Sequence, residues 1–153
     1  GQAVARRATA FDMRVIHSSR KSGVPLDELL RVADVVSLHC PLNEHTTGLI
    51  GVRELGLMKS SAVLINTSRG PVVNQTALAT ALTNGVLRAA GIDVSVVEPI
   101  PIDDPLLSLS NCIVLPHIGS ATIATRTKMA DLAVANVLAE LAGEKIPHCV
   151  NPG

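Results

Sequence analysis

The sequence of 153 residues contains no tryptophan and no tyrosine, and Phe11 is its single phenylalanine. Hydrophobic residues nevertheless make up 47% of the chain. The core must therefore be built from alanine, valine, leucine and isoleucine, which suits helices packed on a sheet that is buried on both faces. The length is sufficient for one domain with its own core.

An excess of either charge is also absent, because 13 basic and 13 acidic residues give a formal net charge of zero. Proteins that bind nucleic acid or anionic membranes usually carry a basic excess, so neither is expected as a partner. No apolar run reaches the ~18 residues that a membrane-spanning helix requires. The composition therefore favours a globular protein.

Cysteines are few, and Cys40, Cys112 and Cys149 form no Cys-x-x-Cys pair. This pattern predicts reduced thiols in a cytoplasmic protein. His39, Cys40 and His45 are close in sequence, but no fourth ligand is evident, and no metal site is predicted. A Cys–His hydrolase is also disfavoured, because no nucleophile motif surrounds Cys40 or Cys112.

Apolar strand-like runs alternate with helical stretches along the whole chain, which predicts an α/β fold with a parallel sheet. The predicted strands are Met13–His17, Asp34–His39, Ala62–Asn66, Leu87–Asp93 and Cys112–Pro116. The predicted helices cover residues 2–11, Leu26–Ala33, Asn74–Asn84 and residues 121–142, with turns and short helices over 43–59. Gly85 and Gly143 are expected to end the last two long helices.

Each predicted strand is followed by a polar or Gly/Pro-containing segment: HSSR, HCPLN, NTSRG, DVSVVEP and PHIGSAT. In a doubly wound fold, the loops at the carboxyl ends of parallel strands form the ligand crevice. These five segments are therefore the candidates for a functional site.

Four short motifs follow one another along the chain: N-T-S-R-G (66–70), G-I-D-V (91–94), E-P (98–99) and P-H-I-G-S-A-T (116–122). In this order the chain resembles the D-2-hydroxyacid dehydrogenase family over essentially its whole length. Residues 93–107 and 111–122 are most similar to the glyoxylate/hydroxypyruvate reductase branch. The resemblance implies an oxidoreductase that reduces 2-keto acids to D-2-hydroxy acids with a nicotinamide cofactor.

The same resemblance identifies Gly1 as the last glycine of the family's G-x-G-x-x-G turn. Residues 1–153 are then expected to be a partial dinucleotide-binding domain, truncated at the N-terminus, with the substrate domain absent. The expected fold is a Rossmann-type doubly wound parallel sheet that lacks its first strand and most of the glycine-rich turn. Because that strand is central in the order 3-2-1-4-5-6, its loss is expected to separate the Met13 and Asp34 strands from the other three. Alone, such a chain is expected to bind cofactor poorly and to be inactive.

Three residues are the candidates for catalysis. By resemblance, Arg69 binds the substrate, and its planar guanidinium suits a carboxylate. His117 lies in the family's catalytic-histidine motif, and an unperturbed pKa near ~6.5 suits a proton donor. By resemblance Glu98 completes the set, and a carboxylate beside an imidazole raises the pKa of the ring.

No acid follows the predicted strand that ends at His17, where NAD-specific folds usually carry one. Ser18, Ser19 and Arg20 stand there instead and suit a 2′-phosphate, which predicts NADPH as the preferred cofactor with NADH possible. The resemblance adds further cofactor contacts at Gly1, Cys40, Pro41, Thr46, Thr67, Ser68, Arg69, Asp93, His117 and Gly119.

Two alternatives stay open on the sequence. One is another D-2-hydroxyacid dehydrogenase, such as one acting on phosphoglycerate. The other is a dinucleotide-sensing transcriptional corepressor, because some proteins that resemble this family act in that way. The resemblance also implies a homodimer for the full-length protein.

Overall fold

The computed structural model describes residues 1–151 and divides into two compact units, Gly1–Pro116 and the segment from His117 onward. The first unit contains a four-stranded parallel sheet in the order β1-β2-β3-β4. The helices and strands alternate along the chain as an α/β Rossmann-like fold, so the predicted fold class is confirmed. The strands are β1 (Val35–Leu38), β2 (Val63–Asn66), β3 (Ala89–Ile92) and β4 (Cys112–Val114).

Four helices belong to the first unit, and each was predicted to within a few residues or as a short helix between turns. Asn74 begins the longest buried one by accepting a hydrogen bond from Ala77 N at 3.0 Å, and Gly85 follows its end with a φ of +66°. A left-handed residue in this place is a common helix terminator. The helices are α1 (Gln2–Ala10), α2 (Leu26–Val32), α3 (Val52–Leu57) and α4 (Gln75–Thr83), with 3₁₀ turns at Gly70–Val72 and Pro105–Ser108.

The core of the first unit is aliphatic, as the lack of aromatic residues requires. Along β2, Leu64 and Asn66 are buried while Val63 and Ile65 are half-buried, the alternation of a strand covered unequally on its two faces. Helix α4 packs five residues inward: Ala77, Leu78, Ala79, Ala81 and Leu82. The largest fully buried apolar side chains are Leu30, Ile50, Leu55, Leu64, Leu78, Leu87, Leu106 and Val72.

The prediction of a strand at Met13–His17 is wrong. This segment has no regular secondary structure and joins no sheet ladder, and the bridge next to it pairs Ser18 with Gly23 in antiparallel register. A strand forms only where a neighbouring backbone supplies its hydrogen-bond partners, which local sequence does not reveal. Val15 is accordingly 43% exposed.

The expected separation of the Asp34 strand from the other three is also wrong. β1 pairs directly with β2, with Val35 opposite Val63 and Leu38 opposite Asn66. The backbone hydrogen bond from Val63 N to Asp34 O, at 3.0 Å, continues this pairing beyond the end of β1. Only the Met13–His17 segment lies outside the sheet, because β1 has its own partner in β2.

The second unit contains one long helix, α5 (Ile123–Leu141), as predicted. Thr122 caps its first turn by accepting a hydrogen bond from Thr125 N at 3.2 Å. At the other end, Gly143 adopts a φ of +70° and Glu144 N donates to Ala139 O, which closes the last turn. Within residues 1–151, none of the helices combines the length and the apolar character needed to cross a bilayer.

Candidate functional site

The last residues of the four strands lie opposite one another across the sheet. Leu38 lies opposite Asn66, Asn66 opposite Ile92, and Ile92 opposite Val114. Because the strands are parallel, the residues that follow them meet at one edge of the sheet, where open α/β folds bind ligands. Three of the five polar segments singled out in the sequence are therefore brought to a common edge of the first unit: HCPLN, NTSRG and DVSVVEP.

A cleft of about 580 Å³ opens at this edge, beside the start of α1 and beyond β1 and β2. Its walls come from three sequence regions that are far apart in the chain. Six predicted cofactor or substrate residues line it: Gly1, Cys40, Pro41, Thr67, Ser68 and Arg69. His39 and Leu42 also line the cleft and were not predicted, although their position beside Cys40 and Pro41 at the end of β1 was the available signal.

The β1 side of the cleft holds two groups whose ionisation is suppressed. Burial lowers the pKa of His39, which favours the neutral ring, and its Nε2 lies 2.9 Å from Ser37 Oγ. Burial raises the pKa of the Cys40 thiol, which favours the protonated form. Neither side chain therefore adds charge to the cleft near neutral pH, whereas Arg69 contributes a guanidinium cation on the opposite side.

Asn66, the last residue of β2, fixes the backbone of the N-T-S-R-G segment. Its side chain is 1% exposed, and its Oδ1 accepts hydrogen bonds from Ser68 N at 3.1 Å and Ser68 Oγ at 2.8 Å. Its Nδ2 donates to Arg69 O at 3.0 Å. A buried amide with these partners holds the turn in one conformation. The turn leaves Arg69 exposed at the cleft, with Nη1 donating to Ser68 O at 2.7 Å.

Gly70 brings this turn into backbone contact with the segment that follows β3. A Cβ added to Gly70 would lie 2.0 Å from Ser95 O and 2.5 Å from Val96 N. No real side chain fits at that distance, so only glycine allows the two segments to pack so closely. The Arg69 turn and the segment that carries Glu98 are therefore assembled as one piece.

Asp93 and Glu98 both belong to that segment but differ in environment. Asp93 is 5% exposed, and its backbone N donates to Asn66 O at 2.9 Å, which continues the β2–β3 pairing. Glu98 is exposed, and its Oε1 accepts a hydrogen bond from Ser95 N at 3.1 Å. The Glu98–Pro99 peptide bond is cis. Asp93 is thus placed at the ligand edge, and in the loop beyond it the Glu98 carboxylate is bound to the backbone of Ser95.

His117 begins the second unit and has an unusual backbone. Its φ is +55°, in the left-handed region that non-glycine residues seldom occupy. Such conformations are enriched at functional sites, where the surrounding structure imposes them. Gly119 follows two residues later in the same unit. Because Arg69 and Glu98 belong to the first unit, the assembly of the three residues into one catalytic group stays a prediction.

The residues predicted to bind a 2′-phosphate form a compact turn of their own. Ser19 Oγ donates to Ser22 O at 2.9 Å and accepts from Ser22 N at 3.1 Å. Within the described chain, Ser18, Ser19 and Arg20 lie outside the lining of the cleft. Arg20 is exposed at the tip of this turn. The hydroxyl of Ser19 is thus used to hold the turn, and Arg20 is the group that the turn presents.

Thr46 has a similar internal role, because its Oγ1 donates to Pro41 O at 2.7 Å and accepts from Asn43 N at 2.9 Å. Its contact with the cofactor stays a prediction.

His45 Nε2 lies 3.3 Å from Glu44 Oε1. Across residues 1–151, the structure assembles no group of three His, Cys, Asp or Glu side chains that could hold a metal ion.

Comparison with known proteins agrees with this architecture. A Korarchaeum cryptofilum (strain OPF8) protein named glyoxylate reductase is 47% identical over 162 aligned positions, covering 99% of this chain and 49% of that protein. A crystal structure of a protein from Thermus thermophilus, 47% identical, superposes with a TM-score of 0.90 over 99% of this chain and 50% of that one.

A third similar protein was crystallised with ligands. It is the NADPH-dependent glyoxylate/hydroxypyruvate reductase of Sinorhizobium meliloti in complex with NADP and malonate, 34% identical, with a TM-score of 0.82 over 91% of this chain and 46% of that one. The chain spans about half the length of the curated relatives it matches. Residues 1–119 match the family described as D-isomer specific 2-hydroxyacid dehydrogenase, NAD binding domain. The chain therefore belongs to the D-isomer specific 2-hydroxyacid dehydrogenases, through their NAD binding domain.

Proposed function

We propose that the full-length gene product reduces glyoxylate and hydroxypyruvate to D-2-hydroxy acids, with NADPH as the preferred cofactor. One observation carries the proposal: Arg69, which suits a substrate carboxylate, shares one cleft with Gly1, Cys40 and Pro41, which were assigned to the cofactor. The names of the Korarchaeum cryptofilum and Sinorhizobium meliloti relatives support the choice of substrates.

The chemistry of the cleft fits a dinucleotide. Its volume of about 580 Å³ lies in the range of small-molecule sites. Gly1 stands at the beginning of α1, where free backbone N–H groups and the helix dipole favour a phosphate. Thr67 and Ser68 add hydroxyl groups at the end of β2. Gly1, Cys40, Pro41, Thr67 and Ser68 would hold the cofactor.

Arg69 would hold the substrate. A guanidinium donates two parallel hydrogen bonds to a carboxylate, so it fixes both the position and the orientation of a 2-keto acid. The bond from Asn66 Nδ2 to Arg69 O keeps the arginine backbone in place at the cleft. Such positioning contributes to the rate because the substrate is held close to the geometry in which it reacts.

His117 would supply the proton. In its protonated form the ring transfers an N–H proton to the substrate carbonyl oxygen, which becomes the hydroxyl of the product and leaves the ring neutral. When bound, the reduced nicotinamide supplies the hydride that the carbonyl carbon gains. The carboxylate of Glu98 would stabilise the charged ring and so favour the acid form of the proton donor.

The experiment follows NADPH oxidation by the full-length gene product with glyoxylate and with hydroxypyruvate. We expect turnover with both, and a loss of about 10³-fold in His117→Ala. The matched control is His45→Ala, an exposed histidine outside the cleft lining, with unchanged turnover. Glu98→Gln should move the alkaline fall in activity to lower pH, because it removes the charge that favours the protonated ring. Tight NADPH binding without turnover of either keto acid would contradict the proposal and favour a cofactor-sensing binding protein.

The preference for NADPH is proposed on the turn that carries Arg20. The turn presents an exposed guanidinium after the segment that ends at His17, where charge-assisted hydrogen bonds to a phosphate would form. We expect Arg20→Asp to lower kcat/KM for NADPH by about tenfold or more relative to NADH. Arg14→Asp, an exposed arginine in the preceding segment, is the control for a general change of charge. An unchanged ratio in Arg20→Asp would refute the assignment.

A further inference from the structure

The loop that carries Glu98, Ser95–Asp104, follows β3, and several of its apolar side chains are exposed to solvent. Ser95 is buried, but Val96 is 50% exposed, Val97 58% and Ile102 95%. A loop with few buried apolar side chains gains little rigidity from packing. Ser95 packs against Gly70, but beyond it the position of Glu98 depends on the polar contacts that hold this loop, which we call the Glu98 loop.

Gln75, the first residue of α4, contacts the Glu98 loop at both of its ends. Its Oε1 accepts a hydrogen bond from Val96 N at 2.9 Å, and its Nε2 donates to Asp104 Oδ2 at 2.5 Å. A primary amide suits this task because it combines an acceptor and a donor in one rigid group. Asp104 is itself fixed, since its Oδ1 accepts from Leu106 N at 2.9 Å. One side chain thus ties together two residues eight positions apart in the sequence.

The contacts inside the loop carry this restraint to the carboxylate. Ser95 N donates to Glu98 Oε1 at 3.1 Å, and Ser95 Oγ donates to Val97 O at 2.7 Å. Ser95 is the residue directly before Val96, whose N–H Gln75 holds. Asn74 caps α4 through Ala77 N, so Gln75 stands on a helix end that is itself anchored. Glu98 is therefore linked to the packed helix α4 through the hydrogen bonds of Ser95 N, of Val96 N and of the Asn74 cap.

We propose that Gln75 is a positioning residue that holds the Glu98 loop at both ends and thereby fixes the carboxylate of Glu98 for its proposed part in proton donation. This inference rests on the proposed reductase activity and on the role of Glu98 in it. Gln75 does not touch substrate or cofactor in this scheme. Its loss should therefore alter proton donation while leaving the binding of NADPH and of the keto acid intact.

The test compares Gln75→Met, which keeps the length of the side chain but loses both hydrogen bonds, with Thr76→Ala, the exposed neighbour on α4. In the full-length gene product we expect Gln75→Met to lower kcat for glyoxylate about tenfold and to move the alkaline limb of the pH profile in the direction seen for Glu98→Gln. KM should stay within about twofold, and Thr76→Ala should behave as the parent protein. A purely structural contact would not move the pH profile.

Exchanging the hydrogen-bond donor and acceptor between positions 75 and 104 provides a rescue experiment. Gln75→Glu alone places two carboxylates together and should lower kcat. Combined with Asp104→Asn, the new carboxylate can accept from both Val96 N and the amide at position 104, so kcat and the pH profile should return toward the parent values. Combining Gln75→Met with Glu98→Gln should add little to Glu98→Gln alone, because both act through one group.

These outcomes distinguish the role of Gln75 from the role of Glu98. A shifted profile in Glu98→Gln with an unshifted profile in Gln75→Met would overturn the role of Gln75 and leave that of Glu98. An unshifted profile in Glu98→Gln would overturn both. A double variant, Gln75→Glu with Asp104→Asn, that stayed as slow as Gln75→Glu would also contradict the polarity of the contacts.

Discussion

The three cysteines lie in different surroundings, so their thiols should differ in reactivity. Burial, and to a smaller extent the charge of Asp104, raises the pKa of Cys112 to about 11. Burial also raises the pKa of Cys40 in the cleft, whereas Cys149 is exposed. Because the thiolate is the reactive form, a raised pKa slows alkylation at neutral pH.

We therefore expect iodoacetamide at pH 8 to modify Cys149 first and Cys112 last, with the rate at Cys112 rising about tenfold per pH unit below its pKa. Mass spectrometry of the modified peptides measures the order, and the urea-unfolded protein, with nearly equal rates, is the control. NADPH should protect Cys40 and leave Cys112 unaffected if the cleft binds the cofactor. Alkylation of Cys112 as fast as that of Cys149 would contradict its burial.

At this scale the sequence predicts residues better than it predicts their contacts. Arg69, Thr67 and Ser68 were assigned to the site from one motif, and all three line the cleft. The supporting amides of Asn66 and Gln75 were not singled out. Their partners are backbone groups in turns and in a distant loop, so their role depends on a geometry that local sequence does not contain.

Among the elements, the contact between the 3₁₀ turn at Gly70 and the Glu98 loop leaves no room for a larger residue. A Cβ at Gly70 would lie 2.0 Å from Ser95 O, so Gly70→Ala must displace backbone. We expect a loss of about 3 kcal/mol in the free energy of unfolding, together with a loss of activity. Urea titration of the full-length gene product measures the first and NADPH oxidation the second.

Gly56→Ala is the matched control for this substitution. Gly56 lies inside α3, where a Cβ would meet nothing within 4 Å, and alanine is the better helix former. We expect it to stabilise the protein by about 0.5–1 kcal/mol with unchanged activity. Equal stability of the two alanine variants would show that the Gly70 contact is looser than the structure indicates.

The same scale shows which elements a sequence can reveal. All four strands, β1 to β4, were found because apolar runs flanked by polar segments are typical of strands. Met13–His17 has the same local pattern but joins no ladder, since strand formation is decided by a partner elsewhere in the chain. α4 was predicted closely because Asn74 and Gly85 are local signals for its two ends.

In the whole molecule, the order of the strands is the feature that sequence reasoning placed incorrectly. The general order of doubly wound sheets was applied on the assumption that the run after Asp34 is the third strand, which placed it away from β2. The structure instead pairs β1 with β2. The error does not affect the edge at which the site is predicted, because pairing in either order keeps the carboxyl ends of parallel strands at one edge.

The common register of the four strand ends has a consequence for how this domain tolerates changes in length. Successive side chains of a strand point to opposite faces, so one residue inserted within β2 or β3 would turn Asn66 or Asp93 to the opposite face of the sheet. At the amino ends the same insertion would only lengthen a connection, as between α4 and β3, at a small entropic cost. Insertions and deletions among natural relatives should therefore accumulate on the amino side of the sheet, while the strands that deliver the site keep a fixed count.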